Sequence, residues 1–130
     1  MCSASDHSHL AIVAEDEPLV SLVITATLED AGHEVLAVSC AEEALNALSA
    51  HPDAKLLVTD VEMPGMDGFA LTRAVREKSP SMIVVVVSGR QAPAKGDLPA
   101  GVRFLPKPFA PERLLLEIEA AAAIHPLRRQ

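Results

Sequence analysis

The chain has no tryptophan and no tyrosine, and three phenylalanines bring its aromatic content to only 2%. Its core must therefore be built from Val, Leu, Ile and Ala, which suits layered strands and helices. Basic residues are also scarce: 11 Lys and Arg stand against 18 Asp and Glu, for a formal charge of -7. Affinity for a phosphate backbone rests on clustered Lys and Arg, so nucleic acid is not expected as a direct partner. The one basic cluster, Arg128-Arg129, reads as a solvated tail. Cys2 and Cys40 lack CxxC spacing, and the polar stretch 1–9 lacks the apolar segment of a secretory signal. Reduced thiols and a cytoplasmic location are expected. No apolar run approaches the ~18 residues that a membrane-spanning helix needs, so no membrane partner is expected either. His7 and His9, close together in a short tail, read as a chance pair rather than as metal ligands.

What is present fits one domain, since 130 residues with 49% hydrophobic content can bury a real core. The expected layout is a disordered tail over 1–8, a domain over 9–124 and a second tail over 125–130, with no internal repeat and no linker to another domain. Short apolar runs at 10–14, 55–59 and 82–87 read as strands buried on both faces of a parallel sheet. Weaker strands are expected at 34–38 and 102–105. Helical patterns lie between them at 17–31, ended by Gly32, and at 41–50, 68–78 and 111–124. Alternating strands and helices predict an α/β fold, a five-stranded parallel sheet doubly wound with helices on both faces. The stretch 90–101 should hold the fourth helix of that pattern. It carries Pro93, Gly96, Pro99 and Gly101, so at most a short or irregular turn is expected there.

In such folds ligands bind beyond the carboxyl ends of the strands. Those ends bear Glu15-Asp16-Glu17, Asp60, Ser88 and Leu105-Pro106-Lys107-Pro108. Carboxylates gathered at one edge repel one another and are compensated by a hard divalent cation such as Mg²⁺, which prefers oxygen ligands. An Asp beside such a metal and a Lys can act as nucleophile toward a phosphoryl group, because phosphoryl transfer needs mainly positioning and charge neutralisation. Each residue also has a plainer reading. Asp16 could cap the first helix, with Pro18 in its first turn, Ser88 before Gly89 could be a turn residue, and Asp67 reads as the N-cap of the third helix. Asp60 resists such a reading, since an unpaired carboxylate at the end of a buried strand is costly. Lys107 sits between two prolines, and an X-Pro bond can be cis.

Taken together, Ala14-Glu15-Asp16-Glu17-Pro18, the run from Thr59-Asp60 through Pro64-Gly65-Met66-Asp67-Gly68, Val87-Ser88-Gly89 and Phe104-Leu105-Pro106-Lys107-Pro108-Phe109 closely resemble the receiver domain of two-component response regulators. The likeness covers about residues 9–122. It implies a flavodoxin-like (βα)5 fold of the stand-alone, single-domain type, phosphorylated on Asp60 by a histidine kinase or a histidine phosphotransfer protein. It further implies Mg²⁺ or Mn²⁺ held by Asp16, Asp60 and the main-chain carbonyl of Glu62, with Glu15 assisting through water. Lys107 would pair with Asp60 and then with the phosphoryl oxygens, Ser88 would donate its hydroxyl, and Phe104 would be the rotameric switch. The Lys107-Pro108 bond would be cis, and Glu62 and Arg90 would tune phosphoryl lifetime, with a salt bridge between them expected at the site mouth. An unidentified output protein and a monomer or weak homodimer complete the expectation. Such a domain is a signalling phosphoacceptor rather than an enzyme, with only self-phosphorylation and autodephosphorylation of its own.

Three other readings fit these residues less well. A metal-dependent phosphohydrolase with an Asp nucleophile would need a second Asp where Glu62 stands, and a cap insertion. A pseudo-receiver that only binds proteins normally loses the acceptor Asp, the Lys or the acidic pair, all of which are present. A nucleotide-binding domain would need a glycine-rich loop after the first strand.

Overall fold

A computed structural model describes residues 10–63, 65, 68–89, 98, 99 and 101–124. The apolar runs form β1 (Leu10–Ala14), β2 (Glu34–Val38), β3 (Leu56–Asp60), β4 (Ile83–Ser88) and β5 (Arg103–Pro106). They pair in parallel in the order β2-β1-β3-β4-β5. Among the described residues, α1 (Pro18–Asp30), α2 (Ala41–Ala50) and α3 (Gly68–Lys78) connect the first four strands in turn, and α4 (Pro111–Ile124) follows β5. The expected α/β, doubly wound parallel sheet is therefore the fold.

Alternation along each strand sorts the core into two layers. Ala11 and Val13 of β1, with Leu56 and Val58 of β3, pack beneath Ile24 and Leu28 of α1 and Leu114 and Ile118 of α4. Ile12, Ala14 and Leu57 face the other way, onto Ala44 and Leu48 of α2 and Leu71 and Val75 of α3. Both layers consist of aliphatic side chains, with Phe69, Phe104 and Phe109 only at their margins. Each fully buried Leu, Ile or Val contributes about 1.5–3 kcal/mol, enough for a sheet to be held without central aromatics.

Strand ends run further than side-chain polarity foretold. β3 includes Asp60 and β4 includes Ser88, because the ladder continues through backbone groups: Asp60 pairs with Val87, and the Lys107 N–H donates to the Ser88 carbonyl at 2.7 Å. α1 ends as its sequence indicates. Gly32 takes φ 100°, which a side chain disfavours, and the His33 N–H reaches back to the Leu28 carbonyl at 3.0 Å. Between β4 and β5 only Leu98, Pro99 and Gly101 of the doubtful helical segment are described, and none is helical. The remainder of that expectation, like the two tails at 1–8 and 125–130, concerns residues outside those described or only partly among them.

Strand order reverses between β1 and β3: the chain leaves β1 toward β2 on one side and leaves β3 toward β4 on the other. The crossovers diverge there and open a cleft at the carboxyl ends.

Candidate functional site

That cleft gathers residues from three strand ends. Glu15 and Asp16 follow β1, Asp60 closes β3, and Lys107 follows β5. Carboxylate oxygens of Glu15, Asp16 and Asp60 lie within 4.8 Å of one another. The mouth above them is a depression of about 460 Å³ lined by Asp16, Glu17, Asp60, Glu62, Gly89 and Lys107.

Asp60 is 2% exposed, and both of its oxygens are engaged. Oδ1 accepts the Glu62 N–H at 3.2 Å, and Oδ2 accepts the Lys107 ammonium at 3.0 Å. Lys107 Nζ also donates to Glu17 Oε1 at 3.1 Å and stands 3.1 Å from Glu15 Oε1. The contact with Glu15 is an ion pair without hydrogen-bond alignment, so Glu15 Oε1 remains a buried oxygen lacking a directed donor. Burial alone would lower the Lys107 pKa, but its close contacts with the carboxylates of Asp60, Glu15 and Glu17 outweigh it and hold the ammonium above the ordinary lysine value. Glu15 moves the opposite way from most paired carboxyls. Burial pushes it up to about 7, and the neighbouring Asp60 charge adds to the rise, against the opposing Glu17 N–H and Lys107.

The other expected site residues are spread around this centre. Ser88 is buried at the end of β4, while its neighbour Gly89 reaches the mouth. Phe104 lies half-buried on β5, packed against the α2 and α3 layer. Glu62 is exposed at the rim, and the Lys107-Pro108 peptide bond is cis. Arg90, and with it the proposed bridge to Glu62, lies outside the described residues, as does Asp67 with its capping role. Asp16 is not the helix cap: Glu17 occupies that position, without a side-chain cap bond, and Pro18 is the first helical residue. Asp16 is thereby left exposed beside the buried pair.

The donor set suits a hard divalent cation. All the clustered donors are oxygens, Glu15 presents a buried oxygen without a directed donor, and the one ammonium of Lys107 is set against three carboxylates, from Glu15, Glu17 and Asp60, with Asp16 a further member of the acidic cluster. Sequence reading placed Glu17 at this strand end but gave it no role. It stands in the same acidic run, but nothing in residue spacing tells which of three neighbouring carboxylates will meet a lysine 90 positions away.

Comparison with known proteins places this architecture. The family model for the response regulator receiver domain matches residues 11–119. The chain belongs to that family. Receiver domains are the phosphoacceptor modules of two-component signalling and typically bind Mg²⁺ at an acidic cluster of this kind. Chemotaxis protein CheY1 of Helicobacter pylori is 34% identical over 114 residues, covering 83% of this chain and 92% of CheY1. The C4-dicarboxylate transport transcriptional regulatory protein DctD of Rhizobium meliloti is 36% identical over 109 residues, covering 78% of this chain, which spans only 22% of DctD. A response regulator receiver protein from Sinorhizobium medicae superposes with a TM-score of 0.83 at 29% identity, covering 89% of this chain and 95% of that one. Receivers interact in general with histidine kinases and output proteins. None of the described helices is long and apolar enough to cross a membrane.

Proposed function

We propose that this receiver accepts a phosphoryl group on Asp60 from a histidine kinase or a histidine phosphotransfer protein and thereby switches the binding of an output protein in the cytoplasm. The observation that carries the reading is the Asp60 carboxylate itself. It is buried at the floor of an open acidic mouth and hydrogen-bonded to Lys107 at 3.0 Å. An Asp60 oxygen forms the new P–O bond, the bond from phosphorus to the donor's imidazole nitrogen breaks, and the imidazole leaves with the electron pair and takes up a proton. Asp16, Asp60, the Glu62 carbonyl and, through water, Glu15 would hold Mg²⁺ or Mn²⁺. When bound, that ion supplies Lewis acidity and offsets charge on the transferring group. Lys107 shifts from the Asp60 carboxylate to a phosphoryl oxygen, and Ser88 donates its hydroxyl to another. Phe104 then follows Ser88 inward, so that a local gain of roughly one and a half to two negative charges biases the surrounding surface.

The donor has a surface to meet beside the mouth. α1 is apolar nearly all round, and Leu19, Leu22 and Val23 stay exposed on it, with Leu19 at 77%. Leu19 and Val23, with Val20, border a groove of about 260 Å³ shared with Lys107, Pro108 and Phe109. A helix carrying the donor histidine that covered this face would bring its ring to the opening above Asp60.

Incubating the chain with Mg²⁺ and acetyl phosphate tests the acceptor chemistry. Intact mass should show one phosphoryl adduct, lost on chelation, cleaved by hydroxylamine and mapping to the peptide that contains Asp60. Absence of an adduct, or an adduct on another residue, overturns the reading and favours a receiver that works without phosphorylation.

A further inference from the structure

Lys107 has three ammonium protons and faces three carboxylates, those of Asp60, Glu15 and Glu17. Two of those protons are donated, to Asp60 and Glu17, and Glu15 Oε1 stands 3.1 Å away as an ion pair, so a phosphoryl oxygen must compete with these partners for Lys107. The three partners are unequal. Asp60 is the residue modified, and Glu15, with a side chain 0% exposed, would be left with a bare buried charge if it lost the ammonium. Glu17 has a side chain 63% exposed, so water can replace the lysine at little cost. Its place at the mouth is nevertheless fixed from the backbone. Pro18 restricts the preceding residue to extended conformations, Glu17 sits at φ -87° and ψ 115°, and its N–H donates to Glu15 Oε2 at 3.1 Å.

We propose that Glu17 is a positioning residue, a releasable latch that holds Lys107 in the unphosphorylated arrangement and sets how readily the ammonium passes to the phosphoryl group. The inference rests on the acceptor reading of Asp60. Glu17 touches no reacting atom and acts entirely through Lys107. Neutralising it leaves Lys107 with one competitor fewer and should favour the phosphoryl-bound arrangement. Exposed ion pairs are weak, so the expected gain is about two- to fivefold.

A double-mutant cycle of Glu17→Gln and Lys107→Ala separates the latch from the bare charge of Glu17 at the mouth. Two quantities are read on the full chain in Mg²⁺: the rate of adduct formation from acetyl phosphate, and the affinity for beryllofluoride followed by amide NMR shifts. Glu17→Gln alone should raise both by about two- to fivefold. In the Lys107→Ala background the same change should leave beryllofluoride affinity unaltered. Normal wild-type phosphorylation with no effect of Glu17→Gln overturns the latch alone, as does an effect undiminished in the Lys107→Ala background. A wild-type protein that neither forms the adduct nor binds beryllofluoride overturns the acceptor reading and the latch with it.

Discussion

Raising the pH from 5 to 8 without metal should cost the native protein about 2–3 kcal/mol through Glu15 alone, since one pKa unit is worth 1.36 kcal/mol. The native carboxyl is pushed up from 4.5 to about 7. Between those values the folded chain holds a proton that the unfolded chain has released, so unfolding stability falls as pH rises. The loss starts near 4.5 and is complete once the pH passes the folded value of about 7. Lys107 does not distort this window, because its ordinary value of 10.5 is raised further by folding and it stays charged throughout. Urea unfolding at successive pH values in a chelating buffer measures the slope, and Glu15→Gln should remove about 2–3 kcal/mol of the wild-type change. Equal slopes for the two proteins would mean that Glu15 ionises near its ordinary value. Added Mg²⁺ should reverse the effect, because a ligand that binds only the native state stabilises it and the ionised cluster is the form that binds a cation. The rise in unfolding midpoint with Mg²⁺ is therefore expected to be larger at pH 8 than at pH 5.

The acidic site thus stores its own instability, and this was only partly visible in sequence. That carboxylates would converge followed from the strand ends once a parallel sheet was inferred, and the runs at 10–14 and 34–38 are strands over those same residues. Aliphatic runs between turn residues leave few alternatives, because their side chains need cover on both faces. What sequence could not supply was the distribution of partners. Glu15, Asp16 and Glu17 are chemically alike and adjacent, yet one is buried, one is exposed beside the cluster, and one reaches over the mouth to Lys107. Their fates depend on where Pro18 starts α1 and on which way the chain turns out of β1. The apolar run of α1 shows a similar limit: residue type does not separate Leu19, Leu22 and Val23 from Ile24 and Leu28, and only packing shows that the sheet uses the latter pair.

Gly68→Ala should destabilise the protein by about 2–4 kcal/mol, although alanine is the better helix former by about 1 kcal/mol. Gly68 begins α3 where that helix presses against the end of β3, and its N–H donates to the Val61 carbonyl at 2.8 Å. A methyl group there would lie 2.7 Å from Val61 Cα and 2.9 Å from the Asp60 carbonyl carbon, and closer still to the Asp60 carbonyl oxygen. These neighbours are backbone atoms and cannot rotate away. Either α3 moves off the sheet, opening the layer held by Leu71 and Val75, or the Asp60 main chain moves and carries its carboxylate with it. A displacement of about 1 Å at a reacting group can cost about a hundredfold in rate, so acetyl phosphate labelling should fall at least tenfold in the protein that remains folded. Gly32→Ala is the control. Its φ of 100° disfavours a side chain but nothing lies within 4 Å, so it should cost only about 1 kcal/mol and leave labelling unchanged. Urea unfolding and the labelling rate, measured on both variants, decide the matter: a Gly68→Ala protein as stable as wild type would show that α3 can withdraw freely. The close approach of α3 to β3 would then have no part in holding Asp60 at the floor of the mouth.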